Sequence, residues 1–191
     1  MLVFDSLEDE EIYQHHPHHL KYYAQMKHII LIGCAVKKDL AELKKHTDGA
    51  HNLLFFGMNT LPTFIDRNRM EVSFSEPGDE EHFRTVSASL NWEYFKVEDK
   101  VGMVTPRVVT MIINEACFTF EAGIASMEDI DKGMKLGTSY PYGPFEWGDR
   151  IGVNNIYQIL MALAKTSGNE RYRISPFLEK KYLTRENFYT P

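Results

Sequence analysis

The chain has 191 residues, the length of one domain or of two small ones. Its composition of 43% hydrophobic, 13% aromatic and 25% charged residues is typical of a globular protein and excludes wholesale disorder. With 21 Lys and Arg against 27 Asp and Glu, the formal net charge is −6, which disfavours nucleic acid as a partner because that binding depends on neutralising phosphates.

Cysteine usage and hydropathy indicate the compartment. Cys34 and Cys117 lie far apart and form no CxxC motif, as expected of a reduced chain. No apolar run reaches the ~18 residues of a membrane span, so we expect no membrane partner. The N-terminal residues include Asp5, Glu8 and Asp9, whereas a signal peptide begins with positive charge. We therefore expect a soluble, cytoplasmic protein.

The first half alternates short apolar runs with amphipathic segments. Apolar runs predict buried strands at 29–32 and 53–56, and strands are also expected at 70–74 and 94–97. Helices are predicted over residues 36–45 and 78–90, the latter with three acids in its first turn. This alternation indicates an α/β layer.

After about residue 100 the pattern becomes helical throughout. Residues 103–125 are apolar on most sides, which predicts a helix covered by its own domain or by a second subunit. Its polar residues form one narrow stripe: Arg107, Thr110, Asn114 and Glu121. Further predictions are a helix over 126–137 with a Ser126 and Asp129 capping pair, a loop at 143–149, and a helix from the cap Asn154 to Gly168.

Four segments of the helical half form a recognisable pattern. They are Asn-Glu-Ala at 114–116, ASMEDIDKGMKLG at 125–137, YPYGPFE at 140–146, and GNERYR at 168–173 followed by Ser175 and Pro176. In order and spacing they resemble the C-terminal domain of the 3-hydroxyacyl-CoA dehydrogenase family. More weakly, the strand at 2–4, Gly57-Met58 with Glu71-Val72, and residues 97–107 resemble parts of the same family's preceding half.

The resemblance implies an α+β organisation. A truncated Rossmann-like α/β remnant at 1–99 is expected to start where the family's dinucleotide-binding half has already ended. An all-helical domain at 100–191 would follow, and in the family this domain forms the dimer. A homodimer is therefore expected here.

Cofactor binding in the family requires a motif that this sequence lacks. Family members oxidise the 3-hydroxyl group of a 3-hydroxyacyl-CoA by hydride transfer from carbon 3 to NAD, whose diphosphate is held by a glycine-rich turn. No GxGxxG occurs in the chain, and Gly33 is followed by Cys34-Ala35-Val36 without further glycines. We therefore predict no cofactor for this chain on its own.

The family's catalytic positions are also altered. The resemblance implies a histidine base with a glutamate twelve residues later, and here Asn59 stands twelve residues before Glu71. An amide does not take up a proton near neutral pH. Pro106 replaces the asparagine that precedes Arg107, and residues 34–38 replace a Ser/Thr-rich loop. Asn59 and Glu71 are thus predicted to be vestigial catalytic positions, and Pro106 and Arg107 the substrate-binding ones. Glu71 as a plain solvent-facing strand residue is an equal interpretation.

Three functional hypotheses follow. The first is a degenerate 3-hydroxyacyl-CoA dehydrogenase-like protein of fatty-acyl-CoA metabolism, a dimeric binding or scaffold protein with an acyl-CoA ligand. The alternative is an active 3-hydroxyacyl-CoA (3-hydroxybutyryl-CoA) dehydrogenase that works with a nucleotide-binding half from another chain. The third is a metal-binding module, although a solvated turn explains its histidines better: His15, His16, His18, His19 and His28.

Overall fold

A computed structural model describes residues 2–5, 30–45 and 54–189, the first segment only as a strand. The chain divides into two compact units, Met1–Val104 and Thr105–Pro191. Within the described ranges, no helix is both long enough and apolar enough to cross a lipid bilayer. The five histidines of the metal hypothesis lie outside the described residues.

The first unit is built on a mixed sheet whose described strands lie side by side in chain order. They are β1 (Leu2–Asp5), β2 (Ile30–Cys34), β3 (Leu54–Met58), β4 (Arg69–Phe74) and β5 (Glu93–Lys96). The first three are parallel, β4 is antiparallel to β3, and β5 is parallel to β4. Helix α2 (Asp79–Ser89) makes the crossover from β4 to β5, as a parallel pair requires.

Apolar side chains cover both faces of this sheet. On one face, Leu31 of β2 and Phe55 of β3 pack with Leu40 and Leu43 of α1 (Leu40–Lys44). On the other, Phe83 of α2 packs in a cluster of edge-to-face rings with Phe56, Phe74 and Tyr94. The predicted α/β layer and its strands are confirmed, because runs buried on both faces are the clearest strand signal in a sequence.

The helix predicted over residues 36–45 is shorter than expected. Residues 36–38 form bends, and α1 begins only after Asp39, whose carboxylate accepts a hydrogen bond from Glu42 N–H at 2.8 Å. The Val36 carbonyl accepts from Gly102 N–H at 2.6 Å, so it is already used by a loop. A tertiary contact and a local cap therefore shorten the helix.

The second unit is all-helical in its described residues. Its helices are α3 (Thr105–Glu121), α4 (Met127–Thr138), α5 (Pro144–Ile151), α6 (Val153–Ser167) and α7 (Pro176–Thr184), with a 3₁₀ turn at Glu170–Tyr172. Two predicted caps are confirmed: the Ser126 hydroxyl accepts from Asp129 N–H at the start of α4, and Gly168 ends α6 with φ of 62°. The predicted organisation, a Rossmann-like α/β half followed by a helical domain, is the observed one.

Three boundaries in this unit differ from the prediction. The long helix spans Thr105–Glu121 rather than 103–125, because Gly102, Met103 and Gly123 have positive φ. Asn154 does not cap α6, which starts at Val153 directly after Gly152 with φ of 97°. Residues 143–149 were predicted as a loop that leads into a short helix; the helix is present as α5, but it already starts at Pro144.

The early start of α5 depends on a carboxylate from another helix. Asp131 of α4 accepts from Phe145 N–H at 2.8 Å and from Glu146 N–H at 2.9 Å, which satisfies donors that a helix start leaves unpaired. Gly143 makes this approach feasible, since a Cβ there would lie 2.3 Å from the Asp131 Cβ. Asp131 also accepts from the Tyr189 hydroxyl at 3.0 Å.

The tail of the unit is held by a second carboxylate. Asp149 accepts from the backbone N–H groups of Phe188 and Tyr189 at 2.7 and 2.9 Å. The Phe188 ring is buried over Gly148, where a Cβ would lie 2.5 Å from the ring. The last described residues are therefore part of the core.

We predict that D131A destabilises the protein by about 2–4 kcal/mol, because it leaves two backbone N–H groups and a phenol without their acceptor. Urea unfolding followed by circular dichroism measures this loss. The control E128A removes an exposed acid from the same helix and should cost less than about 1 kcal/mol. Equal effects of the two variants would contradict the capping role.

Candidate functional site

Asn59 immediately follows the last residue of β3 and is only 3% exposed. Its N–H donates to the Glu71 carbonyl at 3.2 Å, which continues the hydrogen-bond ladder between β3 and β4. Its side-chain Oδ1 accepts from Leu61 N–H at 3.3 Å. Both the backbone and the side chain of this residue are therefore fixed by the fold.

Glu71 lies on β4 beside Asn59 and is half-buried. Its carboxylate accepts from Val104 N–H at 3.3 Å, so the side chain is bonded within its own unit. The two predicted catalytic positions therefore lie side by side, with Asn59 at the end of β3 and Glu71 on β4. Twelve residues are enough for the chain to turn back and pair in the antiparallel direction. The hydrogen bond between the two residues joins their backbones.

The side-chain amide of Asn59 limits the chemistry that this site can perform. A general base must accept a proton within hydrogen-bond reach of the substrate, and an amide has no proton affinity near neutral pH. Asn59 can donate a hydrogen bond or accept one. Such a side chain is able to hydrogen-bond an oxygen atom but not to remove a proton from it.

The chain packs closely around the strand ends next to Asn59. A Cβ on Gly57 would lie 2.4 Å from the Ser73 Oγ and 2.6 Å from the Ala35 Cβ, so only glycine fits there. Asp99 accepts from Leu40 N–H with both carboxylate oxygens at 3.0 Å. Burial raises the pKa of Asp99, and the neighbouring negative charge of Asp39 adds to this shift. Ionising Asp99 is therefore less favourable in the folded chain than in the unfolded one, so the free energy of unfolding falls as the pH rises above the ordinary value of 3.8.

These carboxylates bear on whether a dinucleotide fits. Its diphosphate needs unpaired N–H groups and positive potential at a helix start that follows a strand. At the start of α1 the N–H groups of Leu40 and Glu42 are taken by Asp99 and Asp39. The first turn of α2 carries Asp79, Glu80 and Glu81. Neither strand-to-helix connection described in the first unit fits the diphosphate of NAD.

The predicted substrate-binding positions lie in the second unit. Pro106 is buried in the first turn of α3. Its lack of an N–H group costs no hydrogen bond there, because N–H groups of the first turn have no acceptor within the helix. Arg107 donates from Nη1 to the Tyr172 hydroxyl at 2.8 Å, and its guanidinium lies 5.9 Å from the centre of that ring. Arg107 therefore ties α3 to the 3₁₀ turn, a structural contact that spacing did not reveal.

The polar stripe of α3 faces the segment that follows the 3₁₀ turn. The buried Asn114 amide donates to the Arg173 carbonyl and accepts from Ser175 N–H, both at 2.9 Å. Glu121 accepts from the Ser175 hydroxyl at 2.7 Å, and Ser175 in turn caps α7. In the sequence, the signal for these contacts was a narrow polar stripe on an otherwise apolar helix. The stripe did not show which segment of the chain it contacts.

Cysteines and acidic clusters of the described residues bear on nucleophilic and metal chemistry. Cys34 and Cys117 are buried thiols that form no disulfide, and burial raises the pKa of the Cys117 thiol, which keeps it protonated and unreactive. In residues 30–45 and 54–189, no group of three or more His, Cys, Asp or Glu side chains is placed to hold a metal ion.

Comparison with known proteins identifies the helical unit. The family model described as "3-hydroxyacyl-CoA dehydrogenase, C-terminal domain" matches residues 102–187. Through this domain the chain belongs to the 3-hydroxyacyl-CoA dehydrogenase family. The 3-hydroxyadipyl-CoA dehydrogenase of Escherichia coli is 41% identical over 93 residues, which are 49% of this chain and 20% of that protein.

The relationship also reaches the α/β unit. The 3-hydroxybutyryl-CoA dehydrogenase of Clostridioides difficile is 32% identical over 145 residues, 74% of this chain and 50% of that protein. An aligned stretch of this length exceeds the whole second unit. The chain thus spans half or less of the length of these two relatives, and it is a 3-hydroxyacyl-CoA dehydrogenase-like protein.

A solved structure shares the fold of nearly the whole chain. The (S)-3-hydroxybutyryl-CoA dehydrogenase of Ralstonia eutropha superposes with a TM-score of 0.78 at 23% identity, covering 96% of this chain and 65% of that one. At this identity the likeness shows the fold alone. The likeness therefore extends to the Rossmann-like fold of the first unit.

We predict a measurable coupling between Arg107 and Tyr172 of this dehydrogenase-like protein. In a double-mutant cycle of R107M and Y172F, urea unfolding should give an interaction free energy of about 0.5–1.5 kcal/mol, as for one buried hydrogen bond. Additive effects on the free energy of unfolding would contradict the structural role of Arg107.

Proposed function

We propose that this protein is a catalytically degenerate 3-hydroxyacyl-CoA dehydrogenase relative that binds acyl-CoA thioesters as a binding or scaffold protein of fatty-acyl-CoA metabolism. The observation that carries the proposal is Asn59. It is a buried amide held beside Glu71, at the position where the family resemblance implies the catalytic histidine. A cytoplasmic location is part of the proposal and is supported by Cys34 and Cys117, which are thiols and form no disulfide.

The loss of a base changes the rate of the chemical step and not the ability to bind. General-base catalysis contributes ~10²–10⁴ in rate, and an amide in its place contributes none of this. Hydrogen bonding to a substrate oxygen survives the replacement, because asparagine keeps a donor. The proposed protein therefore still binds an acyl-CoA ligand but does not convert it to product.

The negative charge at the strand ends supports the same proposal. The carboxylates of Asp39 and Asp99 occupy the start of α1, and acids fill the first turn of α2. Both arrangements repel a diphosphate. NAD binding by this chain is accordingly not part of the proposed function.

Calorimetric and optical titrations test the proposal. We expect acetoacetyl-CoA to bind the purified chain, NAD not to bind, and 3-hydroxybutyryl-CoA with NAD to give no NADH absorbance at 340 nm. Steady NADH formation by this chain alone would overturn the proposed degeneracy. Turnover that appears only after a separate dinucleotide-binding protein is added would support the alternative, an active enzyme assembled from two chains.

Homodimerisation belongs to the proposal as well. Val108 on α3 is 52% exposed in a helix that is otherwise mostly apolar, and Ile112 lies one turn further along the same face. An apolar helix face of this kind is stabilised by burial against a second subunit. The family resemblance favours the same helical domain as the dimer-forming part.

We expect V108E to weaken the homodimer by about 100-fold, because a carboxylate would be buried in an apolar interface without a partner. Light scattering coupled to size-exclusion chromatography over a concentration series measures the shift to monomer. The matched control is L183E, since Leu183 on α7 is 70% exposed and also apolar. A monomeric wild type, or equal effects of the two variants, would contradict dimerisation through α3.

A further inference from the structure

The orientation of the Asn59 side chain is fixed by one hydrogen bond. The Leu61 N–H lies 3.3 Å from the Asn59 Oδ1. A backbone N–H needs an acceptor, and of the two ends of an amide only the oxygen can accept. The carbonyl end of the side chain is therefore turned toward Leu61, and the NH₂ group occupies the opposite end.

The NH₂ group is the end of the side chain that the fold leaves unused. Among the described residues, none accepts a hydrogen bond from the Asn59 Nδ2. This nitrogen is also not one of the fully buried unpaired side-chain atoms, of which the described residues contain only the Ser75 Oγ. Asn59 as a whole is 3% exposed, and its unused polar atom is a pure donor.

From this geometry we infer that the protein selects 3-oxoacyl-CoA thioesters over the corresponding 3-hydroxyacyl-CoA thioesters. The inference rests on the proposed function, in which an acyl-CoA ligand reaches Asn59. A ketone oxygen only accepts hydrogen bonds and therefore matches a donor-only partner. An alcohol also has an O–H group that donates a hydrogen bond. A histidine base would accept this hydrogen bond. The Asn59 Oδ1 is turned toward Leu61 and leaves the O–H group unpaired.

The inferred ligand is the product of 3-hydroxyacyl-CoA oxidation and not its substrate. Leaving a polar group unpaired on binding lowers affinity more than a missing apolar contact does, because the group loses its bond to water. The class of reaction that supplies the ligand is accordingly the dehydrogenation of a secondary alcohol to a ketone.

Isothermal titration with three CoA thioesters tests the selectivity. We expect acetoacetyl-CoA to bind about tenfold more tightly than (S)-3-hydroxybutyryl-CoA. Butyryl-CoA, which has no oxygen at carbon 3, measures the affinity contributed by the rest of the ligand. It should bind more weakly than acetoacetyl-CoA.

Variants at position 59 assign the selectivity to this side chain. N59A should bring the two affinities to within about twofold, because the donor is gone. N59D presents a carboxylate oxygen in place of the NH₂ group, so it should prefer the alcohol. N68D makes the same chemical change on an exposed residue and should keep the wild-type preference. Thermal unfolding of each variant verifies that it is folded.

The outcomes separate this inference from the proposed function. If no CoA thioester binds the folded wild type, the proposed function fails and the inference fails with it. If the thioesters bind with equal affinity, or if folded N59A keeps the tenfold preference, the inference is overturned while the proposed function stands.

Discussion

Within each unit, hydrogen bonds from backbone N–H groups to aspartates elsewhere in the same unit stabilise the start of a helix. Asp99 accepts from the first residue of α1, 59 positions away, and Asp131 accepts from the first turn of α5. A helix start buried without acceptors would be unfavourable, so these carboxylates determine where the helices begin. The same bonds decide the chemistry, because a helix start already occupied by carboxylates is closed to a phosphate.

The site on the first unit shows how little a fold must change for its chemistry to change. The strands, the close approach at Gly57 and the neighbouring position of Glu71 need no alteration when the residue after β3 becomes asparagine. An imidazole there exchanges protons near neutral pH, whereas an amide does not. Under the proposed function, the scaffold is kept while the reaction that its relatives are named for is lost.

Much of the fold was predictable from local signals. Apolar runs identified β2 and β3, and the capping residues Ser126 and Gly168 identified the limits of two helices. The start of α5 was not predictable, because its capping carboxylate belongs to another helix. The pairing of Asn59 with Glu71 came from the family resemblance and not from a local signal. The tie between Arg107 and Tyr172 was out of reach, because it joins residues 65 positions apart.

The attachment of Phe188 and Tyr189 to Asp149, and of Tyr189 to Asp131, has a consequence for biosynthesis. Synthesis proceeds from the N-terminus, so α3 to α7 leave the ribosome before the residues that complete their core. The helical unit therefore reaches its final packing only after residue 189 has cleared the exit tunnel. Until then, the apolar surfaces around Gly148 are open to chaperones.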